Sequence, residues 1–397
     1  MKRCLIPLLL TCALLVTGCS CGGSQPQPTA QPTPQVVNPT ATPMPGSAEW
    51  AYRLQGHITP SEECGYLADY QMKLTVHYGA GTSEGADVYL NGSAQEDFDD
   101  IRFTSSYGVR LLSHWIQDYT PGVNATVWVK FDYISSEGAD FYLYYGNPAA
   151  KSASDGYGTF LIFNDGSSME GWRKYSGGRD FDWSATGDVI RCTSNNFGWS
   201  NLYYGDSLGS TSYIIESKIR AQDSNTSDNY QHGVGCSYNN PMARWLEDGD
   251  YWQIRDPHST NSSDPDATFN AAQWHDYTFV RDNDVWQLIV DGDLKVTHES
   301  GSANRCAGMY VYMEHSGHWV EFDDFRVRNF CQPEPVWGPW SAETNEAALQ
   351  TTAGVEPERE ATPTPETTAP AEATPTPETT QTSEPVSTVP PITTPQP

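Results

Sequence analysis

The sequence predicts an all-β protein with two β-sandwich domains between unstructured arms. Short segments of alternating apolar and polar residues, bounded by Gly, Pro, Asn or Ser, fill the middle of the chain. That region shows no amphipathic helix longer than two or three turns. Proline marks the arms, because 22 of the 28 prolines lie in residues 1–46 or 333–397. A folded body of about 290 residues, enough for two modest domains, therefore lies between segments that cannot bury a core.

The charge of the chain excludes one class of function. The chain has 50 acidic and 22 basic residues and a formal net charge of −28. Acidic residues outnumber basic ones roughly two to one in the body as well. Because such a surface repels phosphate groups, we expect no nucleic-acid partner and no attachment to anionic lipid through surface charge. Neutral ligands and divalent cations are compatible with this charge.

The N-terminal residues predict export and lipid attachment. Residues 1–3 are a short basic start, and residues 4–17 are almost uninterruptedly apolar, which is typical of a signal peptide and too short for a comfortable membrane span. The following sequence, VTGC, ends at Cys19 and resembles the prokaryotic lipobox. The resemblance implies cleavage before Cys19 and a lipid on its sulfur, which would hold the chain on the extracytoplasmic side of the cell membrane. An ordinary signal peptide with an incidental cysteine is the alternative.

Composition sets the domain boundaries. The predicted arms cannot form a core, since one is rich in Pro, Thr and Gln and the other repeats EATPTPETT twice in a Thr/Pro/Glu-rich stretch. The predicted segments are a signal peptide at 1–18, a tether at 19–46, a first sandwich at 47–152, a second sandwich at 153–340 and a disordered tail at 341–397.

The first domain shows clear strand signals. Residues 110–116 fit either one turn of helix or another strand. Asp97, Asp99 and Asp100 lie too close together to share one strand face, so we expect a solvated turn there rather than a metal site. The segments WAYRLQGHI, DFDDIRFTSSYGVRLLSHWIQDY and FYLYYGNPAAKSASDG resemble a domain family of unknown function from secreted prokaryotic proteins, which implies no activity. Alternation predicts strands at residues 71–78, 125–131 and 140–145.

The second domain contains a hairpin that physical signs alone predict. Apolar residues alternate on either side of a turn at residues 282–284, and a further turn follows at Asp291-Gly292. Together with TFLIFNDGSSMEGW and EFDDFRVRNF, the pattern resembles a concanavalin A-like, laminin-G-type jelly roll, the superfamily of lectins and some glycanases. The resemblance implies this fold for residues 159–331. The alternating residues of the hairpin are Tyr277, Phe279, Trp286, Leu288 and Val290.

The sequence offers no complete catalytic constellation. A jelly-roll glycanase needs two carboxylates about 5 Å apart on one strand face. Residues 321–326 read EFDDFR, so Glu321 and Asp323 share a face, but Phe325 and Arg326 stand where the glycanase pattern requires a second Glu. We therefore predict a non-catalytic protein, with a degenerate glycanase as the less favoured alternative.

Acidic residues near both ends of the second domain suggest a cation. Asp165 follows the first segment of this domain, and Asp323 and Asp324 lie in its last. Carboxylates clustered on sandwich loops suit a hard cation, and the lectin-like resemblance implies a structural calcium ion where the domain's two ends meet. An ordinary acidic turn is the alternative.

Tryptophans in polar, irregular stretches predict a ligand site. Trp199, Trp245 and Trp252, with Arg244 nearby, are the predicted ligand-binding residues, because a sugar ring packs against an aromatic face while polar groups bind its hydroxyls. The predicted partner is a glycan or a cell-surface protein, and a structural spacer without a small ligand is the alternative. The predicted function is thus that of a lipid-anchored binding or adhesion protein.

The body contains five cysteines, which predict disulfides in an oxidising compartment and leave at least one cysteine unpaired or paired elsewhere. Cys331 follows the last strand signal of the second domain. A bridge from Cys331 to Cys306 or to Cys64 would fasten that end of the domain, and the sequence leaves both partners open.

Overall fold

The computed structural model describes residues 49–106, 110–177, 180–205, 208–222, 230–235, 241–302 and 306–346. The described residues up to Thr344 belong to one compact unit, and Asn345 and Glu346 belong to a second. The predicted signal peptide, Cys19, the tether and nearly all of the tail lie outside the described residues. Within the described part of the chain, no helix is long and apolar enough to span a membrane.

The all-β prediction is confirmed, since strands make up nearly all regular structure in the described ranges and α1 (Gly156–Thr159) is one short turn. The strands are β1 Tyr52–Thr59, β2 Leu67–His77, β3 Asp87–Tyr89, β4 Arg102–Ser105, β5 Leu111–Leu112, β6 His114–Thr120, β7 Asn124–Ile134, β8 Ala139–Tyr145, β9 Ile162–Asn164, β10 Trp172–Ser176, β11 Phe181–Ala185, β12 Ile190–Ser194, β13 Gly198–Tyr204, β14 Ser212–Ala221, β15 Gln231–Gly235, β16 Met242–Leu246, β17 Tyr251–Arg255, β18 Thr260–Ser262, β19 His275–Asp282, β20 Val285–Val290, β21 Asp293–Glu299, β22 Gly308–Met313, β23 Trp319–Asn329, β24 Val336–Trp340 and β25 Thr344–Asn345.

The first sandwich has two sheets, with strand orders β3-β2-β7-β6 and β24-β1-β8-β4-β5. β2, β7 and β8 confirm the three strands that alternation predicts, and residues 110–116 fall in β5 and β6 rather than in a helical turn. The inward side chains of both sheets, among them Leu74, Val127 and Phe103, form one buried core. This alternation places the opposite faces of β6 and β7 outside that core.

Strand β24 belongs to the first sandwich, whereas the sequence-based boundary placed residues up to 340 in the second. It pairs antiparallel with β1. Trp337 and Trp340 pack edge-on against Phe141, with 5.6 and 5.3 Å between ring centroids. Burial of these large rings explains why the chain returns to the first sandwich after β23.

The second sandwich pairs a seven-stranded sheet, ordered β10-β13-β22-β15-β16-β17-β18, with an eight-stranded sheet, in which β11-β12-β23-β14-β19-β20-β21 are neighbours and β9 pairs with β23. Their inward faces form a second core. The predicted hairpin is confirmed as β19 and β20. Asn283 and Asp291 take the positive φ values of 50° and 53° that its tight turns require.

A β-bulge in β23 determines which residues leave the second core. Glu216 pairs with Arg326 and Lys218 with Asp323, so β23 carries one extra residue between these pairs. Asp324 lies in this stretch with a φ of 50°. Because of the extra residue, Phe325 points into the core and Arg326 points outward, which reverses the alternation that holds from residue 319 to 323.

Arg326 joins the two sandwiches. Its guanidinium lies 5.7 Å from the ring centroid of Trp115, 5.2 Å from that of Trp128 and 5.9 Å from that of Phe160, all part of a small buried aromatic cluster. Its Nε donates a hydrogen bond of 2.8 Å to Glu216 of β14. The outward face of the eight-stranded sheet is therefore covered at one end by the first sandwich and continues beyond it.

The structure contains the bridge between Cys64 and Cys331, one of the two pairings that the sequence left open, with 5.8 Å between the Cα atoms. Cys306 is also disulfide-bonded. Cys192 is a buried free thiol. The first bridge connects the turn after β1 to the segment between β23 and β24, so both ends of the folded body meet there.

Candidate functional site

The outward face of the seven-stranded sheet, called here the seven-stranded face, carries a continuous set of aromatic and polar side chains. The inward residues of its strands, such as Leu202, Val234 and Met309, belong to the core. Strand alternation therefore directs the residues between them outward. Two neighbouring rows follow from the strand register. One row is Trp199, Tyr312, Gln231, Leu246 and Tyr251, and the other is Tyr175, Asn201, Tyr310, Gly233, Arg244, Gln253 and Ser262.

The prediction that Trp245 and Trp252 bind ligand is wrong. Both are core residues, 2% and 1% exposed. Their ring centroids are 4.7 Å apart, and each lies 4.6 Å from that of Phe269. Arg244 and Trp245 are consecutive in β16, so they must point to opposite faces of the sheet. Only Trp199 and Arg244 of the predicted set share the seven-stranded face.

Arg244 is held in a polar network at the centre of this face. Its Nε donates to Gln253 at 3.0 Å, and its Nη1 donates to Gln231 at 2.6 Å and to the Tyr310 hydroxyl at 3.2 Å. Gly233 separates Arg244 from Tyr310 in the row, and a Cβ there would lie 2.1 Å from the Ala243 carbonyl oxygen. The missing side chain lets the guanidinium and the tyrosine meet across the strand. Burial lowers the pKa of Arg244 from its ordinary value.

An aromatic platform lies at the β10 end of the seven-stranded face. Trp199 is half-buried, and its ring centroid lies 5.4 Å from that of Tyr175, which is 53% exposed. Phe197 is 44% exposed and packs edge-on against Tyr312 at 5.8 Å. The alternation of Trp199, Asn201 and Tyr203 in GWSNLYY was the available signal for this face, and it also indicates Tyr310 and Tyr312 in MYVYM. The platform lies on the same sheet face as the polar network, with β22 between its strand β13 and the Gln231 strand β15.

The carboxylate pair from the sequence lies on the other sheet. Glu321 is buried, and its Oε2 accepts a hydrogen bond of 2.6 Å from Arg220 Nε. Its Oε1 accepts from Arg191 Nε at 2.8 Å and also from Arg191 Nη2. Both oxygens of the first candidate carboxylate are therefore engaged by arginine. Asp323, the second, is partly buried, and burial together with neighbouring Asp324 raises its pKa to about 6.

The predicted calcium ligands lie near one another, since Asn164 pairs with Phe325 and brings Asp165 beside β23. Each carboxylate nevertheless has a protein partner. Asp165 accepts hydrogen bonds from Ser167, and Asp324 lies 3.4 Å from the Lys218 ammonium. Within the described ranges, no group of three or more His, Cys, Asp or Glu side chains is arranged to hold a metal ion. These three residues thus do not form a ready ligand set, and calcium stays a prediction.

A buried cluster of Ser, His and Asp does not have the geometry of a catalytic triad. Ser259 Oγ and Asp256 Oδ2 lie 3.2 and 3.3 Å from His298, and both approach the same ring atom, Nε2. A triad uses the two ring nitrogens for different partners. Burial would raise the pKa of Asp256, but hydrogen bonds from Ser300 and from backbone amides hold it well below its usual range. The cluster therefore stabilises the ionised form of the buried Asp256 carboxylate.

A cavity of about 400 Å³ lies between the sandwiches. Its lining groups Arg328, Glu334 and Glu216 pair with one another, because Arg328 donates two hydrogen bonds to Glu334 at 3.0 and 3.1 Å and its Nε lies 3.8 Å from Glu216. These ion pairs contribute to the domain interface. The seven-stranded face instead combines exposed rings with amide groups.

The fold defines a protein of two β-sandwich domains, the second built from a seven-stranded and an eight-stranded sheet. Residues 97–183 match a family described as a domain of unknown function, DUF2341. Residues 159–328 match a family described as a 3-keto-alpha-glucoside-1,2-lyase-like domain. No curated protein matches the chain.

Several solved structures are similar to parts of this chain. A sialidase is 10% identical over 50% of this chain and 20% of its own, with a TM-score of 0.34, so the likeness spans about a fifth of that enzyme. The carbohydrate-binding module CBM66 from Bacillus subtilis is 14% identical, with coverages of 41% and 98% and a TM-score of 0.32. A Bacillus subtilis protein of unknown function with a galectin-like fold is 9% identical, with coverages of 43% and 96% and a TM-score of 0.33.

Proposed function

We propose that this protein binds glycans, without catalysis, through the seven-stranded face of its second sandwich. Following the resemblance at Cys19, a lipid would hold it on the extracytoplasmic side of the cell membrane, with glycan or a cell-surface protein as its partner. The observation that carries the proposal is that the exposed aromatic platform shares one sheet face with the polar network around Arg244. The match to a family whose description names a glucoside supports it.

The chemistry of the face suits a sugar. The C–H-rich face of a pyranose packs against an aromatic ring, and its hydroxyls accept or donate hydrogen bonds to amides and arginine. Tyr175 and Trp199 provide the rings. Half-buried Gln231 of β15, separated from Trp199 by β22, provides a polar group, and Arg244 and Gln253, 5% and 7% exposed, hold its side chain in place. Binding to a flat, exposed platform of this kind predicts modest affinity for one sugar unit.

Replacing Tyr175 by alanine is expected to weaken glycan binding about tenfold, because an exposed ring that stacks on a sugar contributes roughly 1.4 kcal/mol. A glycan array with the full chain would identify ligands, and titration calorimetry would compare the variant with the parent. Tyr133→Ala is the matched control, since Tyr133 is equally exposed, at 53%, but lies in the first sandwich. Flat signals across neutral and acidic glycans would contradict the proposal and favour a spacer role.

The family description of residues 159–328 provides one alternative, eliminative cleavage of a 3-keto-glucoside. Such a reaction needs a base that removes the proton beside the ketone. The side chains of the polar network are arginine, amides and a tyrosine hydroxyl, none of which is an ordinary base at neutral pH. We expect the protein to leave a 3-keto-α-glucoside intact when the mixture is followed by chromatography. Consumption of the substrate, absent from a heat-denatured sample, would replace binding with lyase activity.

Calcium binding near Asp165 and Asp323 is a further proposal that melting experiments test. Burial and neighbouring carboxylates raise the pKa of Asp323, which is the electrostatic stress that a cation would relieve. If the site binds calcium, saturating Ca²⁺ is expected to raise Tm by about 5 °C over the value in EDTA. Asp165→Asn should abolish the difference, whereas equal melting temperatures of the parent in Ca²⁺ and EDTA would contradict the proposal.

A further inference from the structure

Two arginines and two tryptophans alternate on the exposed part of the eight-stranded sheet. Arg191 of β12 and Arg220 of β14 flank Glu321 of β23 in one row. The guanidinium of Arg191 lies 4.7 Å from the ring centroid of Trp319. That of Arg220 lies 5.8 Å from Trp319 and 4.6 Å from Trp274. These four side chains, called here the Arg–Trp ladder, form a layer over the buried Glu321 carboxylate.

The ladder keeps hydrogen-bonding capacity after Glu321 is satisfied. Arg191 uses Nε and Nη2 on that carboxylate, and Arg220 uses Nε. Among the described residues, no group accepts a hydrogen bond from Arg191 Nη1 or from either Nη atom of Arg220. The two side chains are 39% and 37% exposed, so these donors are accessible to a ligand.

The local charge also differs from that of the rest of the molecule. One carboxylate neutralises only one of the two guanidiniums, so the row carries an excess positive charge in a chain with a net charge of −28. A ladder that served only to bury Glu321 would need one arginine. The stacked tryptophans fix the planes of both guanidiniums, which reduces the entropy lost when a ligand binds.

We propose that the Arg–Trp ladder is a second binding site, which takes a pyranose bearing a carboxylate, as a hexuronate or a sialate does. The carboxylate would accept hydrogen bonds from the free Nη groups of Arg191 and Arg220, the geometry in which arginine binds carboxylates most strongly. The sugar ring would pack against Trp274, which is 37% exposed. This site is on the opposite sheet from the seven-stranded face and does not depend on it.

Neighbouring charges orient the ligand. Asp323 lies two residues beyond Glu321 on the same face, with Asp324 close by. These carboxylates repel an anion from that side, although Lys218 of the neighbouring strand β14 lies opposite Asp323 and 3.4 Å from Asp324 and offsets part of the repulsion. The bound carboxylate therefore faces Trp319, and the sugar ring extends toward Trp274.

Two glycosides that differ in one group test the proposal. Methyl β-D-glucuronoside and methyl β-D-glucoside differ only at C6, which is a carboxylate in the first and a hydroxymethyl group in the second. N-acetylneuraminate is titrated separately as the sialate. Titration of the full chain, followed by tryptophan fluorescence, is expected to show at least about tenfold tighter binding of one carboxylate sugar than of the glucoside. Raising the NaCl concentration from 50 to 500 mM should weaken the binding of the carboxylate sugar far more than the binding of the glucoside.

The variants avoid confusing loss of binding with loss of folding. Arg191→Lys and Arg220→Lys keep a cation beside Glu321 but remove the additional donors, so both should abolish the preference for the carboxylate sugar. Trp274→Ala should weaken the binding of both glycosides. Arg110→Ala is the control, because Arg110 is an exposed arginine of the first sandwich. Equal binding of all three sugars by the parent, or an unchanged preference in both lysine variants, would overturn the proposal. Binding of neutral glycans that is lost in Tyr175→Ala would still support the proposed function of the seven-stranded face.

Discussion

Replacing Arg326 by alanine is expected to lower the free energy of unfolding by roughly 3–5 kcal/mol, the usual result of removing one partner from a buried ion pair. Arg326 is 9% exposed and donates to Glu216 at 2.8 Å. The substitution also removes the cation that packs among Trp115, Trp128 and Phe160 at the domain interface. The buried carboxylate would then keep Arg328, whose Nε lies 3.8 Å away, and the more distant charge of Lys73.

Urea denaturation measured at several pH values checks this expectation. Burial alone would raise the pKa of Glu216, but Arg326 and Arg328 hold it below its ordinary value. In the parent, ionised Glu216 therefore contributes fully to the free energy of unfolding at pH values above the ordinary pKa of Glu. This contribution is lost as the pH falls through the lowered pKa of the folded state. The difference in free energy of unfolding between the parent and Arg326→Ala should become smaller at acidic pH.

An exposed ion pair provides the control. Arg110 pairs with Asp132 at 2.9 Å, and its side chain is 69% exposed. Arg110→Ala should change the free energy of unfolding by less than about 1 kcal/mol. A double variant, Glu216→Leu with Arg326→Met, should recover much of the stability because it removes both charges at once. An Arg326→Ala variant as stable as Arg110→Ala would show that the interface does not depend on this pair.

The sequence predicted the fold class well because strand alternation is a local property. β2, β7, β8 and the hairpin of β19 and β20 each follow from the pattern of a few residues and a turn. The same rule would have corrected the site, since Arg244 and Trp245 are consecutive in a strand and cannot share a face. Their polar surroundings in the sequence favour an irregular loop, in which strand alternation does not operate.

Other features depend on contacts that no local pattern contains. Asp100, expected in a solvated turn, is fully buried and accepts hydrogen bonds from the backbone amides of Gln95, Gly146 and Asn147. Two of these donors lie more than forty residues away in the chain. The Arg–Trp ladder likewise requires the register of β12, β23 and β14, because its members are far apart in sequence. Long-range pairing of this kind is not encoded in residue spacing.

Removing the bridge between Cys64 and Cys331 is expected to lower the free energy of unfolding by about 5–6 kcal/mol in the chain-entropy account of crosslinks. The two cysteines are 267 residues apart, so the bridge closes a loop that contains almost the whole folded body. In the unfolded chain, this crosslink keeps the two ends together. Without it, the unfolded ensemble gains conformations while the native contacts change little.

The double variant Cys64→Ala/Cys331→Ala is the appropriate test, because a reducing agent would also attack the disulfide of Cys306. Urea denaturation should show a lower midpoint. The m-value should be larger, since an unfolded chain without the crosslink exposes more surface. Two interactions remain in the variant to position the returning segment, namely the pairing of β24 with β1 and the packing of Trp337 on Phe141. An unchanged midpoint would mean that these two interactions alone hold the ends of the body together, and that the bridge contributes no stability.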